Sequence, residues 1–306
     1  MENTMENNLK DGIPLREKYK DMFAALAQYS TAAAKIDPTN VYQKANLKTL
    51  PLMEKLVADN TLPESHFEGI ENFEKFYDQV CQGKSGLIFM EHYSNADMPS
   101  FMYQLKTSGN PKLEDLANRI VAIAGMKLNE ENGVVRALCE SYTRVVVYPT
   151  RSQAKVENSN MSAEEIAEEE AKAKKINLAA MRAMDHCKRN GEVILVFPAG
   201  TRYRPGHPET KRGLREMDSY IRLFDTLLMV TVNGTILQLQ DEDMLNDLCI
   251  KGKVVFSALE PINCREYRKS FMEKVPADCE DPKQMFVDDV MKKFDFEHER
   301  IQKKEF

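Results

Sequence analysis

His92 and Asp97 stand five positions apart in the stretch GLIFMEHYSNADMPSF. The apolar run Gly86 to Met90 predicts a buried strand, and the apolar pattern after Pro99 predicts a helix. A histidine thus leaves a strand, and a carboxylate follows near a helix start. If the loop folds back, the carboxylate can hold one imidazole nitrogen, fixing tautomer and ring orientation and leaving the other nitrogen free as a base. Histidine suits that task because its unperturbed pKa of ~6.5 lies near working pH. Spacing alone does not separate this pair from an incidental one.

A second stretch, EVILVFPAGTRYRPG (192–206), predicts another buried strand over Val193 to Phe197. Pro198, Gly200, Pro205 and Gly206 then mark a tight loop. Arg202 and Arg204 alternate, so in an extended segment both project to one side. Two converging guanidiniums make a clamp for a phosphate or carboxylate. Two solvated arginines in a basic loop are the alternative.

Together, H-x-x-x-x-D after a strand and a later F-P-x-G-T-R resemble the glycerolipid acyltransferases. The membrane-bound 1-acylglycerol-3-phosphate branch carries Glu where this chain has Ala199. P-A-G-T-R-Y-R-P is more similar to the soluble, plastid-type glycerol-3-phosphate acyltransferases, with their P-S-G-G-R-x-R-P loop. That branch places a Lys-His pair for the phosphate where RVVVYPTRSQAK offers Arg151 and Ser152. The resemblance spans roughly residues 15–300. It implies His92 as general base and Asp97 as its orienting partner. It implies a phosphate site of Arg151, Ser152, Arg202 and Arg204, shaped by Pro198 and Gly200. The substrates it implies are glycerol 3-phosphate and a thioester of acyl-carrier protein or coenzyme A, the product being lysophosphatidate. No cofactor and no metal are called for. A 1-acylglycerol-3-phosphate acyltransferase, a thioester hydrolase and a non-catalytic lipid- or phosphate-binding protein are the other readings.

Further candidates are softer. Amides near Ser94 to Asp97 are candidate oxyanion donors. Met98, Phe101 and Met102 are candidates for an acyl groove, against ordinary core packing. Lys127 could add charge to the pocket, and Lys211, Arg212 and Arg215 read as steering or solvated charges.

The 306-residue chain is 42% hydrophobic and 29% charged, with a net charge of −6. No basic stretch is interleaved with aromatics, so a nucleic-acid partner is not expected. The six cysteines show no C-x-x-C or zinc-finger spacing and read as free thiols. MENTMENNLKDG has neither signal-peptide nor transit-peptide character. No apolar run approaches the ~20 residues of a transmembrane helix. Peripheral membrane contact is the most that is expected, in cytoplasm or, for a mature chain, plastid stroma. Gly83-Lys84-Ser85 precedes a strand rather than following one and lacks the earlier glycine of a phosphate loop. No G-x-S-x-G elbow occurs, which disfavours a serine acyl-enzyme.

Helical patterns at 15–36, 41–59 and 67–82 predict an N-terminal helical domain over 1–82. From 83 to 306, strand patterns at 86–90, 118–123, 144–148, 193–197, 227–232 and 253–258 alternate with helical ones at 97–107, 132–142, 162–189, 214–224 and 282–304. The expected fold is α/β, a central sheet flanked by helices and preceded by a small helical bundle. The charge-dense segment 162–175 reads as a solvated helix face.

Overall fold

The computed structural model describes residues 12–130, 133–149, 162–240 and 243–306. Its frame is a large mixed sheet. The strands are β1 (Tyr42–Gln43), β2 (His66–Glu68), β3 (Gly86–Met90), β4 (Ile120–Gly125), β5 (Arg144–Val147), β6 (Val193–Val196), β7 (Thr226–Asn233) and β8 (Val255–Ala258). They lie in the order β1-β5-β4-β6-β3-β7-β8-β2. The five central strands, β5 through β7, are parallel; β1 and β8 run antiparallel to their inner neighbours. Ile262–Asn263 also pairs with β7, and Ile13–Pro14, Leu248–Cys249 and Leu237–Gln238 form a small separate sheet.

Helices cover both faces, which is why the central strands read as unbroken apolar runs. Side chains of β3 alternate between two cores. Ile88 and Met90 pack on one side with α1 (Asp97–Lys106) and α2 (Pro111–Arg119). Leu87 and Phe89 pack on the other with α3 (Ala163–Arg189) and α4 (Pro282–Glu305). Every residue of β3 is buried.

This layering creates the crevice. The chain leaving β3 passes through α1 and α2 on the first face before returning as β4. The chain leaving β6, its sheet neighbour, runs through the helix Met217–Leu223 on the opposite face. Adjacent parallel strands whose exits diverge open a cleft at their C-terminal ends, where open α/β sheets bind ligands. The two motif loops both start there.

The segment before residue 83 is not wholly helical. It contributes β1 and β2, and the predicted 41–59 helix is Leu50–Asn60, with Pro51 in its first turn, where the missing N–H is tolerated. Leu26, Leu56 and Phe73 lie in the same apolar cluster as Ile88 and Phe101.

Candidate active site

The loop 91–96 is wound around one carboxylate. Asp97 is buried, and its Oδ2 accepts from the amides of Tyr93 and Ser94 at 2.6 and 2.8 Å. The Ser94 hydroxyl donates to Oδ1 at 2.9 Å. His92 Nδ1 lies 2.9 Å from Oδ2, so it is the imidazole N–H donor in this pair and Nε2 is left for other work. Asp97 opens α1 but does not cap it; Ala96 holds the cap position. Its carboxylate faces back into the loop.

His92 is further fixed from β6. Phe197 stacks on its ring with centroids 3.8 Å apart and planes 10° from parallel. The Tyr203 amide donates to the His92 carbonyl at 2.8 Å. The F-P-x-G-T-R loop is therefore bonded to the histidine's own backbone. Gly200 makes the turn possible: its φ is +64°, and a Cβ would stand 2.4 Å from Leu214 Cδ1. Pro198 is buried, and its carbonyl accepts from the Leu214 amide at 2.9 Å.

The arginines part company. Arg202 is largely buried and reaches Asp247 Oδ2 at 3.4 Å. Burial, the largest influence, pulls its pKa down; the nearby charge of Arg204 adds to that, while Asp247 and Asp97 oppose it. These four charges thus share one neighbourhood. Arg204 is exposed and has no ion-pair partner among the described residues. Its amide donates to the Thr210 hydroxyl at 2.9 Å. Arg151 and Ser152 lie outside the described residues.

The softer candidates resolve unevenly. The amides of Ser94, Ala96 and Asp97 are already donating, to Asp97 Oδ2, Ser94 Oγ and the Ser94 carbonyl, so they are not open oxyanion donors. Phe101 and Met102 are core residues, and Met98 packs partly buried against the same cluster. Lys127 is exposed at the start of the short helix Lys127–Glu130. Lys211, Arg212 and Arg215 pair with Asp295, Asp288 and Asp281 and tie this loop to α4 and its cap.

Two groups emerge that sequence spacing did not reveal. Asp247 is fully buried and joins the motifs, accepting from Asn95 Nδ2 at 2.9 Å and the Gln240 amide at 2.8 Å besides Arg202. Burial, its largest influence, raises its pKa. No local pattern marks it. Glu91, buried beside His92, accepts from the Val232 amide and the Tyr93 hydroxyl and lies 2.9 Å from His298 Nδ1 on α4. An acid directly extending an apolar strand was its one visible sign. Burial first, and Glu91 next, push the Tyr93 phenol far above its ordinary range, so Tyr93 is a neutral donor.

Among the described residues, His66, Glu68 and Glu305 could share an ion. Lys253 and Lys304 already pair with those carboxylates, so the group is an ion-pair network.

A histidine with a buried carboxylate behind it, next to a cationic loop, has the geometry to take a proton from a hydroxyl of an anionic substrate. A family model described as Acyltransferase matches residues 64–222, just over half of the chain. A search of curated proteins finds no match.

Proposed function

The chain belongs to the acyltransferase family, and from that premise we propose that it is a glycerol-3-phosphate 1-O-acyltransferase. The acyl donor is a thioester of acyl-carrier protein or coenzyme A, and the product is lysophosphatidate. The observation that carries this reading is the His92–Asp97 pair, with Arg202 within electrostatic reach of Asp97.

In this mechanism His92 Nε2 takes the proton of the sn-1 hydroxyl as its oxygen attacks the thioester carbonyl. Asp97 stabilises the imidazolium that forms. The tetrahedral intermediate collapses, the C–S bond breaks, and the departing thiolate takes up the proton from His92. A thiolate leaves readily, so no acyl-enzyme is needed. Arg204, exposed and unpaired among the described residues, meets the substrate phosphate first. Arg202 supplies a second charge held in place by Asp247, and Arg151 a third. Anchoring the phosphate fixes the hydroxyl's distance from the base, which accounts for much of the rate through orientation.

Ala199 in place of the Glu of the lysophosphatidate branch supports the smaller acceptor. So does the absence, among the described residues, of any helix long and apolar enough to cross a membrane. The test is a matrix of both acyl donors against glycerol 3-phosphate, glycerol and lysophosphatidate. Thioester consumption should require glycerol 3-phosphate. Consumption without an acceptor, or faster turnover with lysophosphatidate, would overturn the assignment.

A further inference from the structure

Arg144 opens β5 at the N-terminal edge of the sheet, the edge away from His92. It is among the largest fully enclosed side chains, 2% exposed. Its Nη1 donates to the Cys139 carbonyl at 2.8 Å, but Nε and Nη2 have no hydrogen-bond partner among the described residues. Both nitrogens are enclosed by protein, so the guanidinium acts on its surroundings through its charge. Burying a cation without a counter-ion is costly. Burial, the dominant influence, pulls the Arg144 pKa down. Glu140, the nearby carboxylate, does not answer this charge with a bond. It is itself buried and accepts from the Thr31 amide and Asn46 Nδ2.

Arg144 lines a cavity of about 520 Å³ beneath the segment 31–48, a size typical of small-molecule sites. Lys44 and Lys48 also line it, both exposed and neither ion-paired among the described residues. Three cations thus face one carboxylate in a chain whose net charge is −6. Leu47, 75% exposed, stands between the lysines at the rim.

We propose that this cavity binds a phosphate monoester between Lys44 and Lys48 at its mouth, with Arg144 beneath supplying a fixed positive charge. A phosphate monoester carries about −1.5 to −2 at neutral pH, which matches the surplus of two positive charges. The same chemistry is offered by a free phosphorylated molecule and by an anionic lipid headgroup. The site is separate from the His92 cleft, and its test does not pass through acyl transfer.

The test follows amide hydrogen exchange over residues 31–48 in the full chain, with and without inorganic phosphate at constant ionic strength. Because the readout is local, binding at Arg202 and Arg204 does not confuse it. Phosphate should slow exchange in this segment several-fold in wild type. The effect should vanish in Lys44→Ala/Lys48→Ala, which removes only exposed side chains and leaves the buried core intact. A second arm measures co-sedimentation with phosphatidylcholine vesicles, with and without phosphatidate. Protection by phosphate without phosphatidate-dependent sedimentation identifies a free ligand. Sedimentation that needs phosphatidate and is lost in the double variant identifies a lipid headgroup. Either result supports the site. Unchanged exchange, together with sedimentation indifferent to phosphatidate or to the lysines, overturns it.

Discussion

The Tyr203 amide donates to the His92 carbonyl at 2.8 Å, so the cationic loop is bonded to the backbone of the base it is proposed to serve. Asp247 repeats the connection through side chains, touching Asn95 of one loop and Arg202 of the other. The two motifs are one mechanical unit, and this shapes what substitutions should do.

His92→Ala should lower kcat by ~10²–10⁴-fold, the range for loss of a general base. Acceptor affinity should hardly change, since the proposed phosphate contacts are elsewhere. Single-turnover rates and a glycerol 3-phosphate titration check this. A variant retaining more than about a tenth of wild-type kcat removes His92 from the mechanism.

Asp97→Asn should cost both rate and stability. The amide of Asn cannot replace a carboxylate that accepts from Tyr93, Ser94 and His92 together. A buried group left unsatisfied costs about 1–3 kcal/mol. The expected outcome is a lower melting midpoint and a kcat loss that persists well below that midpoint. Full recovery of rate at low temperature would assign Asp97 to loop structure alone.

The legibility of the fold followed burial. The six main strand patterns became β3 to β8 within a few residues, because strands covered on both faces are written as continuous apolar runs. β1 and β2, at two and three residues, are too short to show a period. The helix Pro111–Arg119, capped by Asn110 and started by Pro111, is hidden in the sequence because its apolar positions run directly into β4. The helix Cys264–Met272 is hard to read because only Cys264 is fully buried, while Tyr267, Phe271 and Met272 pack partly exposed among charged residues. In the site, His92 and Asp97 were legible because their contact is local. Asp247 and His298 were not, because their partners are distant in sequence and only packing brings them together.

Arg202 and Arg204 should respond differently. Each charge-assisted contact is worth about 1.5–3 kcal/mol, so either alanine variant should weaken glycerol 3-phosphate binding roughly tenfold or more. Arg204→Ala should leave stability unchanged, being exposed. Arg202→Ala strands the buried Asp247 and should destabilise the fold. Asp247→Asn in the same chain should restore part of that loss, since a neutral side chain needs no counter-ion. Calorimetric titrations and denaturant midpoints on the three variants check both halves. Unchanged acceptor affinity in both single variants would sink the clamp.

Stability should carry a pH signature at the start of β3. Asp225 accepts from the Ser85 hydroxyl and amide at 2.7 and 2.9 Å, and these bonds hold its carboxyl below the ordinary range. A carboxyl whose folded pKa is depressed stabilises the fold above its unfolded pKa of ~3.9 and loses that contribution as pH falls through the folded value. Wild type should therefore exceed Asp225→Asn in denaturant midpoint near neutrality. The gap should narrow only below about pH 4. A gap independent of pH would mean that shape, and not charge, matters at this position.

The adjacency of β3 and β6 gives the cleft a built-in ruler. Hydrogen-bonded strands are held about 4.8 Å apart, so His92 and the cationic loop leave the sheet at a separation the backbone ladder sets. Repacking the core cannot change that interval without breaking the ladder. Acceptance of a longer or shorter alcohol would instead have to be written into the loops, by insertion or deletion between Phe197 and Arg204. In directed evolution of acceptor choice, loop-length libraries there should outperform point libraries in the strands.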